Sequence, residues 1–533
     1  MALASPGWPG LRLNGLAPCL RLDGVNLNAS GCRMSPARRG AATTLTYSFQ
    51  DNVRLMLAVD RFESSGVRIS AVLINGGDRE RVLNDVTLLG AGGAAPISFG
   101  ARPDAVRVME QGNYWGRVRP LVTPKAPEKA RRDGEPNEAP KPASACSDLV
   151  WVAYDRSAGM GFLAGFLTSE RWLGRIHTES RSDGECLHWR VGFDGADVLL
   201  KPEQEIRLED VIFLAGRDPW RLLETYADGA RDRRPPAIPK KPPVSWCSWY
   251  PYRLSVTEDR ILETARIAAE RLKPLGLSII EVDLGWEKEN LPSTFEENER
   301  FPRGLKWLSG ELRKLGFDLG VWKAPYTISE FDPVVRRHPE WLIRDADGKP
   351  ASYWEWFWEP HGKVFILDLT HPGAQEWLRG NVASLARRGV RYLKCDFIGC
   401  AADNLAKRRH DRSIAAGGAT EAARIGARII REALPDGLLL NCGGPEQPGT
   451  GHWPLLYSCN DTGNTGFQNM EFHQGNFHTV ACHLFKNRRW GIIQPSCLCV
   501  GLPGPLDEAR LRATAAFLSG GQIDIGDTLT TLP

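Results

Sequence analysis

The sequence predicts a multidomain chain in which an N-terminal antiparallel β-sandwich precedes an α/β domain of the (β/α)8 TIM-barrel class. Residues 42–214 consist of short segments of alternating hydrophobicity separated by Gly, Asp, Asn and Ser turns, which is typical of antiparallel strands. After Pro243, compact apolar strands alternate with longer segments of helical period, which is typical of parallel βα units. The chain of 533 residues also exceeds the size at which a single hydrophobic core stops growing.

The sandwich domain is predicted to span residues 1–235 and the barrel 236–533. Segments such as VRLMLAVD and VRISAVLI supply the sandwich strands, and a helix is predicted around 220–232. Residues 123–144 are rich in Pro, Lys, Glu and Ala and have almost no large apolar residue, which predicts an exposed, mobile loop. The proline-rich RRPPAIPKKPP at 233–243 predicts a semi-rigid connector.

Eight strands alternating with helices predict a closed barrel, because a closed parallel sheet covered by helices has no exposed edge. The predicted strands are 244–249, 278–283, 318–324, 392–397, 438–442, 455–461, 491–496 and 523–527. The predicted helices between them include 257–273, 303–316, 373–389 and 419–434. A further strand-like segment, 364–372, is assigned to an insertion after the third strand, so that YLKCDF is strand four and LLYSCND is strand six.

The composition favours a neutral ligand. The net charge is only +3 and both signs are mixed along the chain, so neither a nucleic-acid nor an anionic-membrane surface is expected. Without an apolar run of membrane-span length or a signal peptide, the protein is predicted to be cytoplasmic. The 12 cysteines show neither metal-ligand spacing nor a disulfide framework, and no metal or organic cofactor is expected. The 18 tryptophans fit either core packing or stacking on sugar rings.

The C-terminal ends of barrel strands meet at a shared mouth, where the chemistry of this fold is found. Retaining hydrolysis of a glycoside needs one ionised carboxylate as nucleophile and one carboxyl as acid/base. Asp396 ends strand four, with Lys394 two residues earlier on the same side of the strand, where its charge favours the ionised form. Asp461 ends strand six and precedes TGNTG, a flexible segment that suits a group exchanging protons. The sequence therefore predicts Asp396 and Asp461 as a catalytic pair.

Each candidate residue also fits a purely structural role. An aspartate after a strand commonly caps the following helix. Cys442, beside two glycines, fits a small buried residue, and Trp286 and Trp322 fit core or rim packing. The other residues at predicted strand ends are Asp283, Lys323 and Asp527.

Several motifs resemble the α-galactosidase-like enzymes of glycoside hydrolase family 36, the melibiase group, from the sandwich to the end of the chain. They are SWCSWY (245–250), EVDLGW (281–286), RFPRGLKWL (300–308), GVWKAPY (320–326), ILDLTHP (366–372) and YLKCDF (392–397). The resemblance implies that Asp396 is the nucleophile and Asp461 the acid/base. It also implies that a sugar pocket is lined by Asp283, Trp286, Trp322, Lys394 and Cys442.

The chain departs from the family pattern in three places. A small C-terminal β domain and the last barrel helix are expected from the family and are missing here, which predicts a truncated chain. Leu284 stands where the family has a second adjacent aspartate, and this pair is implied to hold the O4 and O6 hydroxyls of galactose. The run NCGGPEQPGTG (441–451) differs from the usual segment after strand five, where the pocket is implied to recognise position 2 of the sugar.

Three functions follow as hypotheses. The first is a retaining hydrolase of terminal α-linked sugars, acting on a small-molecule or oligosaccharide α-glycoside. The second is a transglycosylase of the raffinose-synthase type that uses the same site. The third is a catalytically silent carbohydrate-binding protein, which Leu284 and the missing C-terminal part favour. The sequence leaves the sugar, the linkage and the oligomeric state open, a homo-oligomer included.

Overall fold

The computed structural model divides the chain into two compact units. One comprises residues 1–112, 116–230 and 415–418, and the other 113–115, 231–414 and 419–533. The structure describes residues 3–5, 8–40, 42–63, 66–92, 97–99, 105–112, 114–121, 143–180, 186–193, 197–402, 408–447, 452–462, 470–501 and 505–532. Residues 123–142 of the predicted loop lie outside the described residues. The last two residues of that prediction, 143 and 144, belong to a strand.

The first unit is built from antiparallel strands, as predicted. They are β1 (Leu3–Ser5), β2 (Trp8–Leu13), β3 (Ala17–Leu22), β4 (Val25–Asn28), β5 (Arg33–Arg39), β6 (Ala42–Ser48), β7 (Val53–Phe62), β8 (Gly66–Asn75), β9 (Arg81–Gly92), β10 (Ile97–Ser98), β11 (Val106–Gln111), β12 (Gly116–Pro120), β13 (Ala143–Asp148), β14 (Val150–Asp155), β15 (Met160–Phe166), β16 (Arg175–Ser180), β17 (Cys186–Phe193), β18 (Val198–Leu200), β19 (Gln204–Arg207) and β20 (Val211–Gly216). Five of these strands precede Ala42, where the prediction began. Prolines and glycines interrupt the alternating pattern in that segment, so the sequence did not reveal them.

Two large sheets of this unit share a core. One has ten strands and runs β12-β11-β14-β15-β20-β8-β7-β6-β5, with β19 also on β8; the other has seven and runs β13-β16-β17-β9-β3-β4, with β18 also on β9. Aromatic rings from the two sheets meet: those of Trp189 and Phe213 lie 6.1 Å apart, and those of Phe166 and Phe193 lie 5.4 Å apart. All four side chains are buried, as expected for a sandwich.

The second unit contains eight parallel strands in the predicted order. They are β21 (Val244–Cys247), β22 (Ile279–Val282), β23 (Asp318–Lys323), β27 (Val390–Cys395), β28 (Leu438–Asn441), β29 (Leu455–Tyr457), β30 (Ile492–Gln494) and β31 (Ile523–Ile525). Sheet hydrogen bonds run from β21 through to β30, and β31 pairs with β21. Between β30 and β31, the Gln522 N–H donates to the Ile493 carbonyl at 2.8 Å and the Leu498 N–H to the Asp524 carbonyl at 2.8 Å. These bonds nearly close the barrel.

Helices alternate with these strands. Their bounds are α1 (Pro219–Arg233), α2 (Trp249–Tyr252), α3 (Glu258–Arg271), α4 (Gly304–Lys314), α5 (Pro333–Arg337), α6 (Pro372–Arg387), α7 (Thr420–Ala433), α8 (Met470–His483) and α9 (Leu506–Ser519). α3 begins after Thr257, whose hydroxyl accepts from the Arg260 N–H as an N-cap. Among the described residues, no helix has the length and hydropathy required to cross a bilayer.

The insertion after the third barrel strand forms a sheet of its own. β24 (Thr327–Ser329) and β25 (Ser352–Glu355) flank β26 (Lys363–Ile366) in antiparallel pairing. β26 is the start of the segment that the sequence analysis kept out of the barrel, and that assignment is confirmed. It makes β27 strand four and β29 strand six, so Asp396 directly follows strand four and Asp461 lies in the segment after strand six.

A buried ion pair lies at the end of β23. The Lys323 ammonium is 3.3 Å from the Glu287 carboxylate and donates to the Thr294 carbonyl at 2.6 Å, and both charged side chains are fully buried. Burial lowers the pKa of Lys323 and raises that of Glu287, while each charge opposes the shift of the other. Each charge therefore depends on its partner to remain in the core.

We predict that Lys323→Met lowers the free energy of unfolding by about 3 to 5 kcal/mol, because it leaves the Glu287 carboxylate buried without a cation. Calorimetric unfolding measures the effect as a fall in Tm. Lys314→Met is the matched control, since its ion pair with Glu311 is largely solvent-exposed and its loss should barely change Tm. Equal Tm values for the two variants would contradict the prediction.

Candidate active site

Asp396 follows β27 directly, at the barrel mouth. Its backbone N–H donates to the Lys323 carbonyl at 2.7 Å, which extends the strand pairing to the aspartate itself. Its carboxylate accepts from the Trp322 indole N–H at 3.0 Å through Oδ2, and from the Phe397 backbone N–H at 2.8 Å through Oδ1. Phe397 has φ +53°, a left-handed conformation that non-glycine residues adopt rarely and often at functional sites. The carboxylate is therefore fixed in place.

Burial and a nearby cation act in opposite directions on this carboxyl. Burial raises the pKa of Asp396, and the charge of Lys394 is the largest influence that lowers it. The charge of Asp461 also raises the pKa of Asp396, which indicates that the two candidate carboxyls interact. The Trp322 hydrogen bond favours the ionised form.

Lys394 lies behind Asp396 in a group of acids. Its ammonium is 3.0 Å from Asp283 Oδ2 and 5.5 Å from the centre of the Tyr457 ring. Burial alone would lower the pKa of Lys394, but Asp283 and Glu281 outweigh it and raise the pKa well above its ordinary value. Lys394 therefore stays charged inside the barrel, and it holds the predicted pocket residue Asp283.

Asp461 lies four residues beyond Tyr457, the last residue of β29. The Tyr457 hydroxyl is 2.6 Å from Asp461 Oδ1 and equally 2.6 Å from Ser496 Oγ. Most of the TGNTG segment, predicted to be flexible, lies outside the described residues, which resume at Met470. Neither Tyr457 nor Ser496 was singled out from the sequence, although Tyr457 lies within the predicted strand 455–461 and Ser496 ends the predicted strand 491–496.

Tyr114 is a third residue of the site that the sequence did not reveal. Residues 113–115 lie between β11 and β12 in the chain but group with the barrel unit. The Tyr114 hydroxyl is 3.5 Å from Asp396 Oδ1 and 3.6 Å from Cys442 Sγ. Its ring meets the Tyr457 ring edge-on at 6.3 Å. Tyr114 and Tyr457 therefore link Asp396 to Asp461, and the predicted pocket residue Cys442 lies beside Asp396.

Trp286 is set apart from this group. Its side chain is fully buried, and its indole N–H donates to the Trp322 carbonyl at 3.3 Å. The Lys323 ammonium lies 5.2 Å from the Trp286 ring. Trp286 thus packs against Trp322, and the side chain that touches the candidate nucleophile is Trp322; the pocket role of Trp286 stays a prediction.

An aromatic cluster covers the side of the mouth next to Trp322. Its members are Trp249, Trp322, Trp354, Trp356, Trp358 and Phe397, and Leu284 is buried among them. The Trp354 and Phe397 rings lie 4.7 Å apart. The indole N–H groups of Trp354 and Trp356 are buried and have no hydrogen-bond partner within the part of the chain that the structure describes. This side of the site is thus largely apolar.

Thiols and acids gather inside the barrel, although their sequence spacing gave no sign of it. Cys247, Cys497 and Asp524 bring potential ligand atoms within 4.8 Å of one another, as do Cys247, Glu281 and Asp283. Zinc takes such donors as thiolates and carboxylates. Here Cys497 donates to Asp524 at 2.9 Å and Cys247 to Asp283 at 3.4 Å, and burial raises the pKa of both thiols well above its ordinary value. The set therefore fits protonated thiols better than metal ligands.

The sequence model of the melibiase family matches residues 222–415. An α-galactosidase from Escherichia coli is 24% identical over 248 residues, which are 42% of this chain and 32% of that enzyme. The chain is thus similar to α-galactosidases. An α-xylosidase from Emericella nidulans is 24% identical to this α-galactosidase-like chain over 188 residues, or 34% of the chain and 23% of the relative. The chain therefore spans about a third or less of the length of these curated relatives.

Solved structures of α-galactosidases share the fold of the α-galactosidase-like chain. The enzyme from Thermus thermophilus, in complex with p-nitrophenyl α-D-galactopyranoside, has a TM-score of 0.64 at 20% identity and covers 90% of each chain. The GH36 α-galactosidase AgaA from Geobacillus stearothermophilus has a TM-score of 0.62 at 15% identity, over 98% of this chain and 73% of that one. Both likenesses agree with the sandwich and barrel described above.

We predict that Lys394→Met moves the acid limb of the pH profile of kcat/KM upward by about 1 pH unit. Lys394 lowers the pKa of Asp396, so its loss raises that pKa, and the ionised carboxylate is then lost at a higher pH as the solution is acidified. Hydrolysis of 4-nitrophenyl α-glycosides between about pH 4 and 9 measures the limb. Lys314→Met again serves as the control, and an unshifted limb in Lys394→Met would refute the electrostatic role.

Proposed function

We propose that this chain is a retaining glycoside hydrolase that acts on terminal α-linked sugars. The observation that carries the proposal is the pair of carboxyl groups at the ends of strands four and six, Asp396 and Asp461, linked through Tyr114 and Tyr457. Asp396 is oriented by two N–H donors and lies near the Lys394 charge, which suits a nucleophile. Asp461 accepts a hydrogen bond from the Tyr457 hydroxyl, which suits a group that gains and loses a proton.

The proposed reaction has two steps. An oxygen of the Asp396 carboxylate forms a bond to the anomeric carbon, and the bond from that carbon to the leaving oxygen breaks while Asp461 gives the leaving oxygen its proton. A water molecule then attacks the same carbon and passes a proton to Asp461. The bond between the sugar and Asp396 breaks, and the sugar leaves with its original configuration.

The surroundings of the pair support a sugar as substrate. The aromatic cluster offers flat apolar faces for the C–H face of a pyranose. On the other side, the Lys394–Asp283 pair offers polar groups for ring hydroxyls. Related structures hold the same class of ligand: stachyose in the T. thermophilus enzyme and raffinose in a variant of the G. stearothermophilus enzyme.

Leu284 bears on which sugar is accepted. The family resemblance implies that this position faces the O4 and O6 side of the sugar, where a second carboxylate would hold galactose. The Leu284 side chain is instead 2% exposed and belongs to the aromatic cluster. A pentose has no hydroxymethyl group to hydrogen-bond there, so an apolar wall is compatible with a xyloside, the substrate that the name of the E. nidulans relative indicates.

We predict that Asp396→Ala lowers kcat by on the order of 10³-fold or more on aryl α-glycosides, because no group remains to form the covalent intermediate. Azide should partly restore turnover by attacking the anomeric carbon in place of the carboxylate, which yields the glycosyl azide of inverted configuration. Product analysis by NMR identifies it. Asp436→Ala, at an exposed turn, is the control and should keep full activity. Unchanged activity of Asp396→Ala would show that the nucleophile is misassigned.

We also predict that 4-nitrophenyl α-D-xylopyranoside is cleaved with a kcat/KM at least equal to that of the α-D-galactopyranoside, because Leu284 offers galactose no hydrogen bond. A panel of 4-nitrophenyl α-glycosides of galactose, N-acetylgalactosamine, glucose and xylose measures the preference. A galactoside preferred by about tenfold or more would contradict the role given to Leu284. Sugar binding without turnover of any member would instead indicate a silent carbohydrate-binding protein.

A further inference from the structure

We infer that Tyr457 and Ser496 are positioning residues that hold the Asp461 carboxyl in one orientation. The inference rests on the proposed role of Asp461 as acid/base. It starts from a chain of short contacts that runs from Oδ1 of the partly buried Asp461 to the buried Tyr457 hydroxyl and the buried Ser496 Oγ, with 2.6 Å between successive atoms. Tyr457 is 4% exposed and Ser496 is 1% exposed, so water competes little for these contacts.

The direction of the first bond follows from the charge state of Tyr457. Burial, and then the charge of Asp461, raises the pKa of Tyr457 well above its ordinary value, so the hydroxyl keeps its proton. A carboxylate oxygen accepts, and therefore the Tyr457 hydroxyl donates to Asp461 Oδ1. Because a hydroxyl has one proton, the same oxygen is left to accept from the Ser496 hydroxyl.

Ser496 is itself held by its neighbours. The Thr462 backbone N–H donates to Ser496 Oγ at 3.0 Å, and the Tyr250 hydroxyl lies 3.2 Å from the same atom. Ser496 has φ +64°, a conformation that costs free energy for a residue with a side chain and persists only where the surroundings enforce it. The backbone after β30 therefore presents Oγ at a fixed point in the site.

The same network fixes the backbone next to Asp461. Thr462 follows Asp461 in the chain, and besides its N–H bond to Ser496 its hydroxyl donates to the Cys497 carbonyl at 2.7 Å. Asp461 is thus restrained through its side chain by Tyr457 and through its backbone by Thr462. Both restraints involve residues shortly after β30, namely Ser496 and Cys497.

This arrangement fixes the orientation of the Asp461 carboxyl. The hydrogen bond from the Tyr457 hydroxyl to Oδ1 restrains the carboxyl against rotation. An acid/base held in one orientation presents its proton to the leaving group without first rotating. The expected effect of losing Tyr457 is therefore a loss of proton donation, with the nucleophile intact.

The test compares leaving groups. For Tyr457→Phe, kcat/KM on methyl α-glycosides, which need a proton on the leaving oxygen, should fall by about 10² or more. On 2,4-dinitrophenyl α-glycosides of the same sugar, which leave without protonation, kcat/KM should fall by less than about threefold. Galactose and xylose are the two sugars to use. Ser496→Ala should show the same contrast with a smaller loss.

A matched control is Tyr326→Phe. The Tyr326 hydroxyl is also buried, but it has no hydrogen-bond partner among the residues that the structure describes. This variant should keep its activity on both leaving groups. Circular dichroism and Tm measurements establish that all variants are folded.

The outcomes separate the two proposals. If the parent protein is active and Tyr457→Phe loses kcat/KM equally on both leaving groups, or on neither, the proposed role of Tyr457 is overturned. The proposed hydrolase activity would still hold in that case. A parent protein that turns over none of the substrates would overturn both. A loss confined to the methyl glycosides supports both.

Discussion

The site depends on one buried positive charge, the ammonium of Lys394. It is paired with Asp283 at 3.0 Å, and its charge also lowers the pKa of Asp396 and of Glu281 against the effect of burial. Both oxygens of Glu281 are buried and have no hydrogen-bond partner in the described part of the chain, and burial raises its pKa well above its ordinary value. A single ammonium cannot keep every acid around it ionised, so the barrel interior combines protonated and ionised carboxyls. Asp396 receives two N–H donors besides the charge of Lys394, and these oppose the effect of burial on its pKa.

The two candidate catalytic carboxyls are supported in different ways. Asp396 is fixed by groups from its own and the adjacent strand, since Trp322 lies in β23 and Phe397 comes shortly after β27. These N–H donors favour negative charge. Asp461 is fixed by hydroxyl groups, those of Tyr457 and, behind it, Ser496. A hydroxyl can donate or accept, so it tolerates a neighbour that alternates between protonated and ionised forms. The difference in support matches the difference between a nucleophile and an acid/base.

Much of this arrangement could be predicted from the sequence. Apolar strands alternating with amphipathic helices gave the eight barrel strands in their order, and the period of two in a strand placed Lys394 on the same side as Asp396.

The contacts that complete the site could not be predicted. Tyr114 reaches Asp396 across 282 positions of the chain, and nothing in QGNYWG distinguishes it from any other turn. The roles of Tyr457 and Ser496 depend on hydroxyl orientation and a left-handed backbone, which local patterns do not encode. The burial of Trp286 against Trp322 could not be predicted either, because a strand-end position does not tell whether a side chain faces the mouth or lies behind its neighbour.

The position of Tyr114 has a consequence for how such a chain can vary. Residues 113–115 lie between two strands of the first unit in the sequence, yet they belong to the barrel unit. A Cβ at Gly443 would lie 2.0 Å from the Tyr114 hydroxyl, so the glycine and the tyrosine are matched in size. The two segments must therefore change together during divergence. Recombination that exchanged the barrel alone would separate the tyrosine from its glycine and leave a gap or a clash next to Asp396.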